Sequence, residues 1–553
     1  MVFFFIIVSI LDLIGLSLIG SYIAAFLGLK NPLIDKFSFL FSYFSEIEPI
    51  VILGIAIILL FIFKLVSALL SNYIIIIFST RQMNNLRLKL LYGYQEESYL
   101  LQKQRKTSDY IYNIVNLTAE FSIVVQAFLR IASEFILLFL ILFFLALQDL
   151  TTLSILAILI FSILIIYDKI FKKKLKKYGK EINLNNNSAI NAIIEIMNGL
   201  KEIKILQKQN YFFLKTKDFL SKMLRAKEKA TIIQLSPRYV MEFVLVFFVI
   251  TLTLISIVKG NNNVDLLPKL GVFAFAAIRI LPSSSVILSS NNMIRTYMHA
   301  VDLLHTDLEK INTINKKDDE NTYEKKEEVD FKSLKLKNLS FKFPNTQKYI
   351  FKNLNLTINK GDAIGIMGKS GSGKSTLLNI LMGFIKFSEG RIVYNEKFDH
   401  NKCSYLFKDK CFFLPQQPFL VSGSFKDNIL LGEKFNENTE TQLIYATKGA
   451  EIFDFIEQKE NYFDEKISER GSNLSDGQKQ RIGFARTFFY NKEIIIFDEA
   501  TNALDQKTEK IIIEKLSKLK KIKTIIFVSH KRQNLDFCDK IYQLDQASFS
   551  ILK

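Results

Sequence analysis

Six long apolar stretches are the feature that most constrains how this chain can fold. Each is long enough to cross a bilayer, where only a helix or a closed barrel satisfies every backbone polar group. The stretches predict spans at about 2–28, 49–80, 121–147, 150–170, 238–258 and 268–290. The sequence therefore predicts an all-α transmembrane domain of six long helices over residues 1–310.

Basic residues are concentrated in alternate connections between these spans. Lysine and arginine follow spans two and four, most densely at 172–177, whereas the connections after spans one, three and five contain few. Cytoplasmic loops are enriched in Lys and Arg, so the basic connections, their helical extensions and the C-terminal half are predicted to be cytoplasmic. These loops explain much of the net charge of +18, and a nucleic-acid partner is not expected.

Two further segments flank the spans. Residues 29–48 carry aromatic and aliphatic side chains at helical spacing, which fits either an amphipathic helix on the outer membrane surface or an irregular loop. Residues 311–330 are rich in charge and poor in apolar side chains, which is typical of a solvated linker. A soluble domain is predicted to follow, from residue 331 to residue 553.

The soluble domain contains a phosphate-loop pattern, G-x-x-x-x-G-K-[ST], at residues 368–376. The pattern requires a strand before the loop and a helix after it, and the apolar runs on each side predict both. Glycines let the backbone fold around phosphates, and the helix N-terminus adds partial positive charge. The predicted nucleotide-binding residues of the loop are Gly368, Lys369, Ser370, Gly371, Ser372, Gly373, Lys374, Ser375 and Thr376. We therefore expect an α/β domain that binds a nucleoside triphosphate.

A second segment completes the chemistry that the loop begins. Lys374 is predicted to reach the outer phosphates and Ser375 to ligate Mg²⁺. Residues 494–500 form an apolar strand that ends in two acids. Ligands of parallel sheets lie at the carboxyl ends of strands, so Asp498 is predicted to hold Mg²⁺ and Glu499 to act as general base toward water. Phe343, ahead of the loop, either stacks on a purine ring or belongs to the core.

The order and spacing of these motifs resemble those of the ATP-binding-cassette (ABC) transporters, specifically half-size exporters with six spans followed by one cassette. Residues 473–478 resemble the signature of this family, although Asp476 stands where glycine is usual. The resemblance implies that Ser475, Gly477 and Gln478 contact the γ-phosphate of ATP held on another subunit. It also implies that Phe343 stacks on adenine.

The same resemblance implies roles for other residues of the cassette. Gln416 matches the glutamine that senses Mg²⁺ and water, and His530 matches the histidine that contacts the γ-phosphate. Asp505 lies in a run that resembles the dimer-interface loop, and residues 468–471 resemble an element that touches the membrane domain. Because one chain carries both halves of the composite site, the expected assembly is a homodimer.

Cations within the apolar stretches bear on the chemical nature of the transported substrate. They are Lys64 in span two, Arg238 at the inner part of span five and Arg279 in span six. Charges inside a membrane tend to mark the path of a substrate, and cations that share one cavity favour an anionic substrate. The alternative is that these side chains reach an interface or pair with acids, for which the candidates are Asp12, Glu134 and Glu242.

Short runs around Arg238 and Arg279 are also similar to bacterial flippases that move polyprenyl-pyrophosphate-linked oligosaccharides. This resemblance implies a multi-pass protein of the bacterial inner membrane, in which ATP hydrolysis drives an anionic, lipid-linked substrate across the bilayer. The alternatives are a multidrug or lipid A-type exporter and a poorly hydrolysing, nucleotide-gated binding module. Turns near 94–105 and 209–220 are expected to carry motion between the cassette and the spans.

Overall fold

The structure, a computed structural model, describes residues 2–26, 49–148, 150–258, 263–319, 329–344, 346–545 and 548–553. The chain divides into two compact units. The first comprises Met1–Glu97 and Gln102–Lys317, and the second comprises Ser98–Leu101 and Asp318–Lys553. The first unit is helical and the second combines helices with β-sheets, as the sequence predicts.

The described part of residues 2–319 consists of long helices joined by short ones, and it forms the first unit apart from Ser98–Leu101 and residues 318–319. In chain order the helices are α1 (Val2–Phe26), α2 (Pro49–Gln95), α3 (Tyr99–Gln104), α4 (Thr107–Tyr112), a π-helical turn (Asn113–Leu117), α5 (Thr118–Gln148), α6 (Leu150–Asn198), α7 (Leu200–Ile205), α8 (Gln209–Val258) and α9 (Asn263–Asp319). In the part of the chain that the structure describes, each predicted span lies on a different one of the six long helices. Within the described residues, three helices are long and apolar enough to cross a membrane: Ile50–Gln95, Thr107–Leu147 and Gln209–Thr251.

Several long helices continue well beyond the apolar stretches because their polar parts pack on one another. Leu175 and Ile182 of α6 are buried in one cluster with Ala226 and Ala230 of α8. The small alanine side chains let these two helices lie close together, and burial of the apolar stripe stabilises both extensions. The predicted helical extensions are therefore present in the described residues.

Two predicted connections differ from the structure. The chain turns at 206–208, where Gln207 has a positive φ of 52°, so the segment predicted as a turn from 209 onward already belongs to α8. The predicted linker at 311–330 begins inside α9, because Ile311 is buried in a cluster with Leu90 and Leu304. Gly93 makes this possible, since an added Cβ would lie 2.4 Å from the Ile311 side chain. Residues 320–328 of the linker, and the segment 29–48, lie outside the described residues.

Two main sheets form the second unit. The strands are β1 (Ser333–Phe341), β2 (Phe351–Asn359), β3 (Ala363–Met367), β4 (Glu389–Tyr394), β5 (Phe398–Asp399), β6 (Cys411–Leu414), β7 (Gly423–Ser424), β8 (Lys466–Ile467), β9 (Ile494–Asp498), β10 (Thr524–Val528), β11 (Lys540–Asp545) and β12 (Ser548–Ile551). One sheet has the order β2-β1-β4-β5 and is antiparallel, and the other has the order β12-β11-β3-β10-β9-β6. In the second sheet β11, β3, β10, β9 and β6 run parallel, so their carboxyl ends meet at one edge.

The remaining α-helices belong to the second unit. They are α10 (Lys374–Leu381), α11 (His400–Lys410), α12 (Phe425–Leu430), α13 (Glu437–Gly449), α14 (Phe453–Glu457), α15 (Asp476–Tyr490) and α16 (Gln506–Leu519). The residues of β9 alternate between two buried clusters, with Ile494 and Ile496 in one and Ile495 and Phe497 in the other. A strand buried on both faces reads as a continuous apolar run, which explains the run of isoleucines before Phe497.

A short segment distant in sequence also belongs to the second unit. Tyr99 and Leu100 pack against its larger apolar cluster, and the Tyr99 ring lies 5.8 Å from the ring of Phe384. This segment lies within 94–105, one of the two regions in which the sequence predicts a turn.

Candidate nucleotide site

The phosphate loop joins β3 to α10 at the carboxyl edge of the parallel sheet. Gly371 and Gly373 have φ values of 79° and 103°, which L side chains rarely adopt. At Gly368 an added Cβ would lie 2.4 Å from the carbonyl oxygen of Leu544. The glycines are thus required by backbone conformation and by close packing, and a loop of this conformation can direct N–H groups toward an anion.

Lys374 is the first residue of α10 and is almost fully buried. Its Nζ atom donates to the carbonyl oxygens of Gly368 and Lys369, at 2.8 and 3.1 Å. It also lies 3.4 Å from Oε1 of Glu499. The phosphate loop therefore folds back over its own lysine. This places the ammonium group of Lys374 where the outer phosphates of a bound nucleotide would lie.

The predicted base and the predicted histidine meet because two strands are in register. Asp498 of β9 pairs with Val528 of β10, so the residues that follow each strand emerge side by side. Nε2 of His530 lies 2.5 Å from Oε1 of Glu499, and Nε2 lies 3.5 Å from Nζ of Lys374. The structure thus brings together Lys374, Glu499 and His530, which lie far apart in the sequence.

Glu499 is held in an unusual backbone conformation. Its φ is 52°, although it is not a glycine, and its N–H donates to the carbonyl oxygen of Val528 at 3.1 Å. Nδ2 of Asn502 donates to Oε2 of Glu499, also at 3.1 Å. A strained backbone conformation of this kind persists only where surrounding contacts hold it in place. Here the conformation directs the carboxylate of Glu499 toward the phosphate loop.

The residues predicted to hold Mg²⁺ fit a hard cation. Asp498 is hydrogen-bonded to the side chain of Ser375, and burial raises the pKa of Asp498 above its ordinary range. A bound divalent cation would offset this cost of burying the carboxylate, and carboxylate and hydroxyl oxygens are suitable ligands. Gln416 is exposed just beyond the end of β6, at the same edge of the sheet.

The signature segment forms the start of α15. The Ser475 side chain caps this helix by accepting from the N–H of Gln478 at 3.2 Å, and Oε1 of Gln478 accepts from the N–H of Ser475 at 2.8 Å. Ser475 itself is exposed. Gly477 lies against the next loop, because an added Cβ would be 2.9 Å from the carbonyl oxygen of Ala503. An exposed helix start of this kind is suited to binding a phosphate.

Asp476, the departure from the family pattern, points into solvent. Its side chain is 82% exposed and is paired with Lys479, whose Nζ lies 3.0 Å from Oδ1 of Asp476. The lysine stem packs beside Gly471, where an added Cβ would lie 3.3 Å from Cε. Sequence reasoning identified Asp476 but missed Lys479, although spacing of i, i+3 on a helix places the two side chains together.

Two further predicted residues of the nucleotide site are Asp505 and Phe343. Asp505 caps α16 by accepting from the N–H and the hydroxyl of Thr508, and these hydrogen bonds lower the pKa of Asp505. Phe343 is half-buried and its ring lies edge-on to Phe341, at 5.1 Å. Part of Phe343 therefore remains available for stacking, while the rest packs on the core.

Two buried polar residues of α15 were not predicted. Gln480 and Arg486 are almost fully buried, and both bond to the backbone of the segment that follows β6. Burial lowers the pKa of Arg486 to about 10. The sequence signal that could have identified them is a polar side chain on the apolar face of an amphipathic helix.

The membrane unit contains a buried acid that joins three helices. Asp12 of α1 is fully buried, and its carboxylate forms ion pairs with Lys64 of α2 and Arg279 of α9. Nη2 of Arg279 lies 2.6 Å from Oδ2 of Asp12. Gly15 lets α1 approach α2, since an added Cβ would lie 3.3 Å from the ring of Phe61. Two of the predicted cavity cations are therefore brought together, but around an acid.

Arg238, the third predicted cavity cation, is not part of this cluster. Its Nε atom lies 3.1 Å from Oε1 of Glu242, one turn further along α8, and both side chains are exposed. The prediction of three cations lining one cavity is therefore not what the structure shows. The alternative, pairing with acids, is what the structure shows. Lys64 and Arg279 pair with Asp12 on a facing helix. Arg238 pairs with Glu242 one helical turn away.

Comparison with known families covers both units. Residues 1–269 match the family described as ABC transporter transmembrane region, and residues 351–502 match the family described as ABC transporter. A solved structure of a bacterial Atm1-family ABC exporter with ATP bound is similar with a TM-score of 0.72, over 91% of this chain and 88% of that chain. Its sequence identity is 18%, so this likeness establishes the fold alone.

Curated relatives are similar over part of their length. LagD, a lactococcin-G-processing and transport ATP-binding protein of Lactococcus lactis subsp. lactis, is 30% identical over 71% of this chain and 54% of its own length. A protein of Staphylococcus aureus (strain NCTC 8325 / PS 47) named for multidrug export is 36% identical over 38% of this chain and 36% of its own length. The chain thus spans about half the length of these relatives, or less.

Proposed function

The chain belongs to the ABC transporter family, and we propose that it works as a homodimeric exporter that hydrolyses ATP. One observation carries the proposal: Glu499 lies 3.4 Å from the phosphate-loop lysine, Lys374, and 2.5 Å from His530. A carboxylate at this place can take a proton from a water molecule that attacks the γ-phosphate. The proposed location is a bacterial inner membrane, with the cassette in the cytoplasm.

The residues of the site divide the work of hydrolysis. The N–H groups of 368–376 and the Lys374 ammonium orient the phosphates, and His530 supports the charge that develops on the γ-phosphate. Mg²⁺, when bound by Ser375, Asp498 and Gln416, neutralises phosphate charge. The exposed start of α15 suits a nucleotide held on the partner, which supports a homodimer with two composite sites.

Closure of the two cassettes on ATP, and their separation after hydrolysis, would drive transport. Ser98–Leu101 belongs to the same compact unit as the cassette, which supports a role for this segment in carrying the motion. The turn at 206–208 is the second candidate for this role, in place of the segment predicted from the sequence.

For the substrate we propose an anionic amphiphile. Lys64 and Arg279 share a single carboxylate, so the cluster carries one net positive charge, and Nε of Arg279 is buried without a hydrogen-bond partner among the described residues. An acidic headgroup could pair with the guanidinium group, because the Arg279 side chain is 31% exposed. A polyprenyl-pyrophosphate oligosaccharide remains the finer candidate, although one net charge supports a pyrophosphate less strongly than three cations would.

A peptide or drug exporter is the second candidate. It is favoured by the similarity to LagD, which extends over 71% of this chain, and by the relative named for multidrug export. The apolar spans would accept either class of substrate, since amphiphiles partition into a bilayer before they are moved.

Two measurements test these proposals. Purified protein in liposomes should hydrolyse ATP, and Glu499→Gln should remove the activity; an inactive wild-type protein would favour a nucleotide-gated binding module. Transport is then followed for a fluorescent polyprenyl-pyrophosphate sugar, an apolar peptide and a cationic dye. Movement of the sugar lipid that is lost in Arg279→Gln supports the anionic substrate. Movement of the peptide or the dye alone, with robust ATPase activity, rejects it.

A further inference from the structure

Gln480 joins two loops of the cassette that are separate in the sequence. It lies on the buried face of α15 and is 3% exposed. Its Nε2 atom donates to the carbonyl oxygen of Gln416 at 3.2 Å, and its Oε1 atom accepts from the N–H of Ala503 at 3.1 Å. One side chain therefore bonds to both loops.

The orientation of this amide is determined by its partners. A carbonyl oxygen can only accept and a backbone N–H can only donate, so a flipped amide would lose both bonds. Burying an amide without hydrogen-bond partners costs free energy, whereas an apolar side chain in the same place would carry no such cost. The polar residue is thus explained by the two bonds that it makes.

Each of the two loops carries residues of the nucleotide site. The first contains Gln416, and α15 also holds it further along, where Nη1 of Arg486 donates to the carbonyl oxygen of Phe419 at 2.7 Å. The second runs from Glu499 to Asp505, and within it Asn502 bonds to the Glu499 carboxylate. Gly477 of the signature lies against the carbonyl oxygen of Ala503, so α15 lies next to both backbone polar groups of this residue.

We propose that Gln480 is a positioning residue that couples the Gln416 loop to the loop at Ala503. This inference rests on the proposed function, in which Gln416 serves the nucleotide on its own cassette, whereas the signature and Asp505 serve the nucleotide held on the partner. A shift of either loop is transmitted through the rigid amide to the other. Gln480 therefore links the two composite sites of the dimer.

Two substitutions separate the two bonds. Gln480→Glu keeps an acceptor for the N–H of Ala503 but sets a carboxylate oxygen against the carbonyl of Gln416. Gln480→Leu removes both bonds at similar volume. Thr487→Val is the matched control, because Thr487 is buried on the same helix and its hydroxyl donates within that helix, to the carbonyl oxygen of Gly483. The measurements on full-length protein in liposomes are the Mg²⁺ concentration for half-maximal ATPase rate, the KM for ATP, and thermal stability.

The two substitutions should give different results. Gln480→Glu should raise the Mg²⁺ requirement by roughly tenfold and leave the KM for ATP near the wild-type value. Gln480→Leu should raise both by roughly that factor, because the loop that serves the partner nucleotide is released as well. Thr487→Val should lower thermal stability and move neither kinetic constant.

Other outcomes overturn the inference. If Gln480→Leu changes only one of the two constants, the residue acts locally and does not couple the loops. If the Mg²⁺ requirement and the KM for ATP of Gln480→Leu both stay within about twofold of the values for Thr487→Val, the amide is merely structural. Should Gln480→Leu fail to fold, Gln480→Glu still tests the bond to Gln416, and an unchanged Mg²⁺ requirement in that variant would overturn the inference. An inactive wild-type protein would reject the proposed function instead; the Mg²⁺ dependence of stabilisation by a non-hydrolysable ATP analogue then tests Gln480 without turnover.

Discussion

Lys374 Nζ and Glu499 Oε1 lie 3.4 Å apart, although 125 positions separate the two residues in the chain. The contact joins the phosphate loop after β3 to the carboxyl end of β9, with β10 between them in the sheet. Opposite charges so close polarise one another, and each is in place to act on a phosphate and its attacking water. The first prediction separates their roles.

Lys374→Ala should abolish nucleotide binding, because the ammonium is the main positive charge directed at the outer phosphates. Glu499→Gln should retain binding but lower the turnover rate by about 10²–10⁴-fold, as expected for loss of a general base. Stabilisation against heat by ATP reports binding, and phosphate release reports turnover. Lys386→Ala, an exposed lysine beyond α10, is the control and should behave as wild type. Equal loss of binding in both site variants would contradict the assignment.

The second prediction concerns the charge pair at the signature. Lys479 offsets the Asp476 carboxylate at a helix start where we propose that the partner's phosphate binds. Lys479→Ala should raise the KM for ATP by up to about fivefold, because the uncompensated carboxylate repels the nucleotide. Asp476→Gly in the same chain should restore the KM. If the double variant is as impaired as Lys479→Ala, the lysine acts by something other than charge compensation.

The third prediction concerns the acid within the membrane unit. Asp12→Asn should lower thermal stability, because Lys64 and Arg279 would then face each other without a shared anion. Breaking a buried pair in this way costs about 3–5 kcal/mol. Adding Lys64→Met should recover part of the loss, since only one cation remains. Ser9→Ala, a buried hydroxyl one turn earlier on α1, is the matched control and should cost less. The absence of any recovery would show that the three groups do not act together.

The fourth prediction concerns a buried carboxylate of α9. Asp307 accepts from the hydroxyl of Tyr94 at 2.6 Å, from Nη2 of Arg105 at 2.6 Å and from Nδ2 of Asn113 at 2.7 Å. Asp307→Ala should lower thermal stability by more than Asp302→Asn, a change at an exposed position of the same helix, because three donors lose a shared acceptor.

The same variant has an expected effect on activity. Arg105 also lies over the rings of Tyr94 and Tyr110, at 5.3 and 5.2 Å, so the network includes residues on both sides of Ser98–Leu101 in the sequence. In Asp307→Ala, ATPase activity should respond less to added substrate, because this segment is less firmly held. Unchanged stability and unchanged stimulation would together show that the network is dispensable.

Much of the architecture could be predicted from the sequence. Apolar length determines which segments can lie in a bilayer, and all six predicted spans fall within long helices where they are described. The phosphate loop and the acids at 498 and 499 are recognisable because their chemistry requires particular residues at fixed local spacing. The boundaries were less predictable: Ile311 and the residues after 209 are helical because of packing, which local composition does not reveal.

Pairings between distant side chains were decided by the tertiary structure. Lys64 and Arg279 were predicted either to line a cavity or to pair with acids, and both pair with Asp12, because the rotation of each helix sets which face its charge presents to a neighbour. The sequence analysis assigned no role to Gln480, because its two hydrogen-bond partners lie in the segment after β6 and in the loop at Ala503, which only the fold brings together. The sequence by itself determined which elements form and which local motifs bind phosphate. Only the packing of those elements decided which charges and amides are partnered, because such contacts depend on helix rotation and strand register.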